Sequence, residues 1–129
     1  MPLIAIMNTA IETIDLLREL LQDEGFAVVA TYVVELKRGD QDLAAFFAAH
    51  RPQAVIYDVA LPYQENWDFF REQVLPASGL AEARFVLTTT NKAVLERLVG
   101  PTPAIELVGK PFDLDALLSA VRQAVAEPS

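Results

Sequence analysis

Three polar residues close otherwise apolar runs: Asp58 in AVIYDVALP, Thr88 in FVLTTT and Lys110 in ELVGKPF. They supply a carboxylate, a hydroxyl and an ammonium. Such a set can hold negative charge, with the lysine as a positive charge and the threonine as a hydroxyl donor. Taken singly, each has a plainer reading. Asp58 could be a turn or cap residue after a strand, Thr88 a β-branched strand residue running into a helix start, and Lys110 a solvated lysine before a helix. Their joint chemistry therefore depends on the elements that would bring them together.

Those elements are short. Apolar runs at Leu3 to Met7, Ala27 to Ala30, Ala54 to Tyr57, Phe85 to Leu87 and Ala104 to Val108 give five strand candidates. Their near-continuous apolarity suits strands covered on both faces, as parallel strands are by their crossover helices. Glu106, the one charge within them, suggests that the last strand lies at a sheet edge. Helical periodicity separates the runs: Ile11, Ile14, Leu17 and Leu21 form one stripe, Leu43, Phe46 and Phe47 a second. Less regular helices are expected at Glu65 to Val74 and Lys92 to Val99, the latter capped by Thr90 or Asn91. Leu114, Leu117, Leu118, Val121 and Val125 define a C-terminal helix opened by Asp113. The stretch Tyr32 to Gln41 lacks a pattern and reads as a loop.

Five strands alternating with five helices imply right-handed βα repetition and an α/β/α sandwich around a parallel sheet. The flavodoxin-like order 2-1-3-4-5 fits best. In such a sheet the site lies beyond the carboxyl ends of the strands, so Asn8-Thr9, Asp58, Thr88-Thr89 and Gly109-Lys110 share one end of the molecule.

Composition narrows the chemistry further. The chain has 129 residues, 53% of them hydrophobic, enough for one well-filled core. With no cysteine, thiolate zinc sites, redox pairs and cysteine nucleophiles are excluded. A single histidine, His50, excludes a His-rich metal site, and its place near a helix C-terminus suits the helix dipole. The net charge of −8 gives no attraction to nucleic acid or to anionic membranes. No apolar run reaches membrane-spanning length, and a soluble, cytoplasmic protein is expected. No phosphate-binding glycine loop follows the first strand, which counts against a nucleotide- or flavin-dependent enzyme on this fold.

The arrangement resembles the receiver domain of response regulators. The resemblance covers the whole chain and rests on the thirty-residue spacing from Asp58 to Thr88, the twenty-two from Thr88 to Lys110, and the Lys110-Pro111-Phe112 signature. Gly25-Phe26 and Arg51-Pro52 also fit. It implies that residues 1–126 form a receiver-like domain with 127–129 as a tail. It further implies that Asp58 accepts a phosphoryl group while Thr88 and Lys110 contact its oxygens, and that Lys110-Pro111 is a cis peptide. The implied donor is a sensor histidine kinase or phosphotransfer protein, and the implied role is signalling rather than enzymatic. A homodimer through the fourth helix, fifth strand and fifth helix is also implied.

The sequence departs from that pattern in three places. Asn8 and Thr9 stand where receivers carry an acidic pair, leaving at most a weakened Mg²⁺ site made from Asp58, the backbone carbonyl of Ala60 and the amide oxygen of Asn8. Glu12 is a remote alternative ligand. Leu107 replaces an aromatic switch residue, and Glu65-Asn66 replaces an acidic residue followed by glycine. Two readings follow: an atypical receiver phosphorylated on Asp58 with weakened Mg²⁺ dependence, or a phosphorylation-independent pseudo-receiver serving as a protein interaction module.

Overall fold

A computed structural model of the chain describes residues 1–39, 42–100, 106–110 and 113–126, with backbone alone for Glu106 and Leu107. Five parallel strands, β1 (Leu3–Asn8), β2 (Ala27–Tyr32), β3 (Ala54–Asp58), β4 (Phe85–Thr89) and β5 (Glu106–Gly109), lie in the order β2-β1-β3-β4-β5. This is the flavodoxin-like order, with β5 at an edge as the charge at Glu106 suggested. The registers Met7↔Tyr57, Asp58↔Thr88 and Thr89↔Gly109 set the ends of neighbouring strands level with one another.

The central strands β1, β3 and β4 are buried because both faces are covered, whereas β2 is only partly buried. Successive side chains point to opposite faces of a strand. Ala5, Met7, Val55, Tyr57, Phe85 and Leu87 accordingly join one core cluster, while Ile4, Ile6, Ala54, Ile56 and Val86 join the other. Helices α1 (Ile11–Asp23) and α7 (Leu114–Ala126) cover the second face, burying Ile14, Leu17, Leu21, Leu117 and Val121. Ile11, at the start of the first stripe, is exposed.

The first face is covered by α2 (Val33–Arg38), α3 (Leu43–His50), α4 (Tyr63–Phe69), a π-helical turn (Phe70–Val74), α5 (Leu75–Ser78) and α6 (Lys92–Val99). A 3₁₀ turn, Glu82–Arg84, leads into β4. Phe70 anchors this layer: its ring lies 5.0 Å from Tyr57, 5.6 Å from Trp67 and 5.0 Å from Phe85. Side-chain caps open three helices, with Asp42 accepting from Ala45 N–H, Asn91 from Val94 N–H, and Asp113 from the N–H groups of Asp115 and Ala116. These satisfy backbone donors that a first helical turn leaves without partners.

One expectation fails here. Most of the stretch expected to be a loop between β2 and the next helix is α2 itself. Val33 and Leu36, three residues apart, bury against the first core cluster, and Gly39 ends the helix at φ 81°. Six residues provide one pair of apolar contacts, too few to show a period. The expected helix at Glu65 to Val74 is longer at both ends, running from Tyr63 to Ser78 through the π-helical turn.

Candidate functional site

At the carboxyl end of the sheet, Asp58 closes β3 almost fully buried, its side chain 1% exposed. Thr88, opposite it on β4, donates its hydroxyl to Asp58 Oδ1 at 2.7 Å. Lys110, just past β5, places Nζ 2.7 Å from the same oxygen. Backbone bonds hold these positions: Val59 N–H to the Thr88 carbonyl and Lys110 N–H to the Thr89 carbonyl, each 2.8 Å. The three residues singled out at the strand ends thus converge on one oxygen. A buried carboxylate needs such compensation, because an unpaired buried charge is costly.

Beside Asp58 opens a cavity of about 160 Å³ lined by Thr9, Lys37, Ala60 and Asn66 among others. Its far wall is a relay of polar groups. Lys37 Nζ donates to Asn66 Oδ1, and Asn66 Nδ2 donates to the Ala60 carbonyl at 2.8 Å. Asn66 is buried in α4, and the Lys37 ammonium also lies 5.8 Å from the centre of the Phe69 ring. The Tyr63 hydroxyl and Thr90 Oγ1 are 2.6 Å apart, joining the start of α4 to the residue after β4.

The oxygens expected around a divalent cation already carry partners: Asn8 Oδ1 and the Ala60 carbonyl accept one hydrogen bond each, and Asp58 Oδ1 is met by both Thr88 and Lys110. Asn8, one step past Met7 and so level with Asp58, is buried, and its Oδ1 accepts from Ala10 N–H at 2.9 Å. That bond leaves the amide nitrogen Nδ2 as the buried, unpartnered atom, and an N–H repels a cation. The Ala60 carbonyl already accepts from Asn66. Glu12 is exposed on the first turn of α1, and Thr9 is exposed at the cavity rim. Among the described residues no cluster of three or more His, Asp or Glu side chains could hold a metal. Mg²⁺ prefers a near-octahedral set of oxygens, and this arrangement does not fit it.

Burial pushes the Tyr57 phenol up from its ordinary range, and the adjacent charge of Asp58 adds to the effect. The Tyr57 hydroxyl is buried without a hydrogen-bond partner. His50 sits exposed in the last turn of α3, its ring 4.7 Å from Phe46 and away from the cleft. Pro111, the 127–129 tail and the Leu107 side chain lie outside the described residues, and with them the expected cis peptide and the switch position. No helix among the described residues is long and apolar enough to cross a membrane.

Lys37 and the role of Asn66 were missed in the sequence. A signal was available in Lys37-Arg38, a basic pair soon after β2. In the 2-1-3-4-5 order, that segment follows the strand neighbouring Asn8.

Compared with known proteins, the chain matches no family model and no curated protein sequence. Solved structures do match. Chemotaxis protein CheY4 from Vibrio cholerae is 20% identical, with a TM-score of 0.64 over 96% of this chain and 98% of its own. A response regulator receiver protein from Sinorhizobium medicae is 18% identical, with a TM-score of 0.67 over 96% of this chain and 94% of its own. A sensor protein from Polaromonas is 23% identical, with a TM-score of 0.67 over 96% of this chain and 95% of its own. With the strand order, the layered helices and the strand-end triad, these likenesses identify the fold of this chain as that of a response regulator receiver domain.

Proposed function

We propose that the chain is an atypical receiver in two-component phosphorelay signalling, with Asp58 as phosphoacceptor and a weakened dependence on Mg²⁺. The observation that carries this reading is the convergence of the Thr88 hydroxyl and the Lys110 ammonium on one oxygen of a buried carboxylate, each at 2.7 Å. The Asp58 carboxylate attacks the phosphorus of a phosphohistidine on a sensor histidine kinase or phosphotransfer protein. The P–N bond breaks, its electron pair returns to the imidazole, and an acyl phosphate forms on Asp58. Charge that lay on Asp58 now spreads over phosphoryl oxygens, and Lys110 and Thr88 turn toward them. The role is signalling in the cytoplasm, with an output passed to a partner or to a second copy through α6, β5 and α7. Contact with nucleic acid or a membrane is not part of it.

The engaged Asn8 Oδ1 and Ala60 carbonyl favour a second reading, a pseudo-receiver that uses the same fold for protein contacts without phosphorylation. Intact mass after incubation with a small phosphoryl donor separates the two. One added phosphoryl group on the wild type, absent from Asp58→Asn, supports the acceptor. No gain under conditions that label an ordinary receiver supports the pseudo-receiver.

A further inference from the structure

We infer that Lys37 is the resident cation of the Asp58 cleft, standing in for a divalent metal. Three observations converge on this assignment. Lys37 lines the same cavity as Asp58, and its ammonium donates to Asn66, which lines that cavity too. Asn66 also donates to the Ala60 carbonyl, taking one of the two lone pairs of a backbone oxygen that a metal would need. The buried Nδ2 of Asn8, without a partner, presents a donor level with Asp58. An ammonium lies in the cavity beside the carboxylate, and the side chain level with Asp58 offers an N–H where a cation would need an oxygen.

The consequence is a cleft suited to an oxyanion. Lys37, which lines the cavity, and Lys110, paired to Asp58, carry two positive charges against the one negative charge of Asp58, and the cavity of about 160 Å³ equals roughly five water volumes, room for a phosphoryl group. Lysine's flexible stem lets the Lys37 ammonium exchange the Asn66 carbonyl oxygen for a phosphoryl oxygen when one arrives. The charge that a metal would neutralise is then met by a side chain. Joined to the reading of Asp58 as acceptor, on which this part rests, the inference makes phosphoryl uptake independent of metal.

The test uses the full chain, phosphoramidate as donor and intact mass as readout. Lys37 is exposed at the surface, so its variants keep the fold, as circular dichroism will verify. The wild type should label at rates within about twofold of each other in EDTA and in excess Mg²⁺, Lys37→Met about tenfold more slowly in EDTA, and Lys37→Arg near the wild-type rate. A wild type that labels only with Mg²⁺, or a Lys37→Met protein that labels like the wild type in EDTA, overturns the assignment. A Mn²⁺ titration read by the electron paramagnetic resonance of the free ion tests Lys37 apart from Asp58 chemistry. Lys37→Asp gives the cleft a second carboxylate and should bind Mn²⁺ about tenfold or more tighter than the wild type. Equal binding overturns the assignment. If no protein labels but the Mn²⁺ contrast holds, the acceptor reading falls and Lys37 stands as the cleft's cation.

Discussion

On one wall of the cleft, Thr88 and Lys110 both reach a single oxygen of buried Asp58, so charge is met by charge at short range. On the other wall, Lys37 reaches a neutral amide, which in turn satisfies a backbone carbonyl. The first wall is built from strand ends whose positions the sheet register dictates. The second is built from α2 and α4, two short helices that meet across 29 residues of sequence. The difference shows that the two halves of one site can be held by different physics. Sheet geometry and ion pairing hold the first, and tertiary docking with hydrogen bonds to an uncharged amide holds the second.

The largest effect should come from removing what joins the walls. Phe70 packs on Tyr57 beneath Asp58 and on Trp67, the neighbour of Asn66. Phe70→Ala should lower stability by about 3–5 kcal/mol in urea unfolding and loosen both walls together. A loss below about 1 kcal/mol would mean that the walls are anchored separately.

Breaking the charged wall alone comes next. Lys110→Met leaves Asp58 buried with Thr88 as its remaining partner across the strand. Full burial would make that loss about 3–5 kcal/mol, but the Lys110 side chain is 24% exposed, so about 2 kcal/mol is expected. Asn66→Ala, on the other wall, should cost about 1 kcal/mol, since water can reach Lys37 and the Ala60 carbonyl. Equal losses for the two variants in urea unfolding would erase the distinction between the walls.

The smallest effect at neutral pH sharpens the comparison from below. Tyr57→Phe removes a buried hydroxyl that has no partner and should be neutral or stabilising by up to about 1 kcal/mol. Its sign at alkaline pH is definite. The folded phenol ionises well above its ordinary value of 10.0, so above that pH the unfolded chain releases a proton that the folded chain keeps. Stability conferred by the protonated phenol is full below pH 10.0 and is lost as pH rises toward the folded value. Wild type should therefore fall relative to Tyr57→Phe by up to about 1.4 kcal/mol per pH unit, read from paired unfolding curves. Parallel curves for the two proteins would contradict the burial of this group.

Much of the fold was legible because doubly covered strands must be apolar along their length, and β1, β3 and β4 are. The helix over 114–126 was legible for a related reason, since its buried residues recur at helical spacing behind the Asp113 cap. Asp58, Thr88 and Lys110 stood out because a polar residue ending an apolar strand has its position set by the strand. Helix α2 left no such trace, since one apolar pair in six residues gives no measurable period.

Amino-acid order alone therefore determined the strands, their parallel stacking and the triad at their ends, through local periodicity and strand termination. It also showed that Asn8 and Thr9 bring no charge to the cleft. Tertiary structure decided which Asn8 atom is spoken for, that Asn66 bonds the Ala60 carbonyl, and that Lys37 shares a cavity with Asp58. Those are matters of which hydrogen bonds form between distant segments. Such bonds depend on how helices dock over a sheet, and no local pattern in the chain encodes that docking.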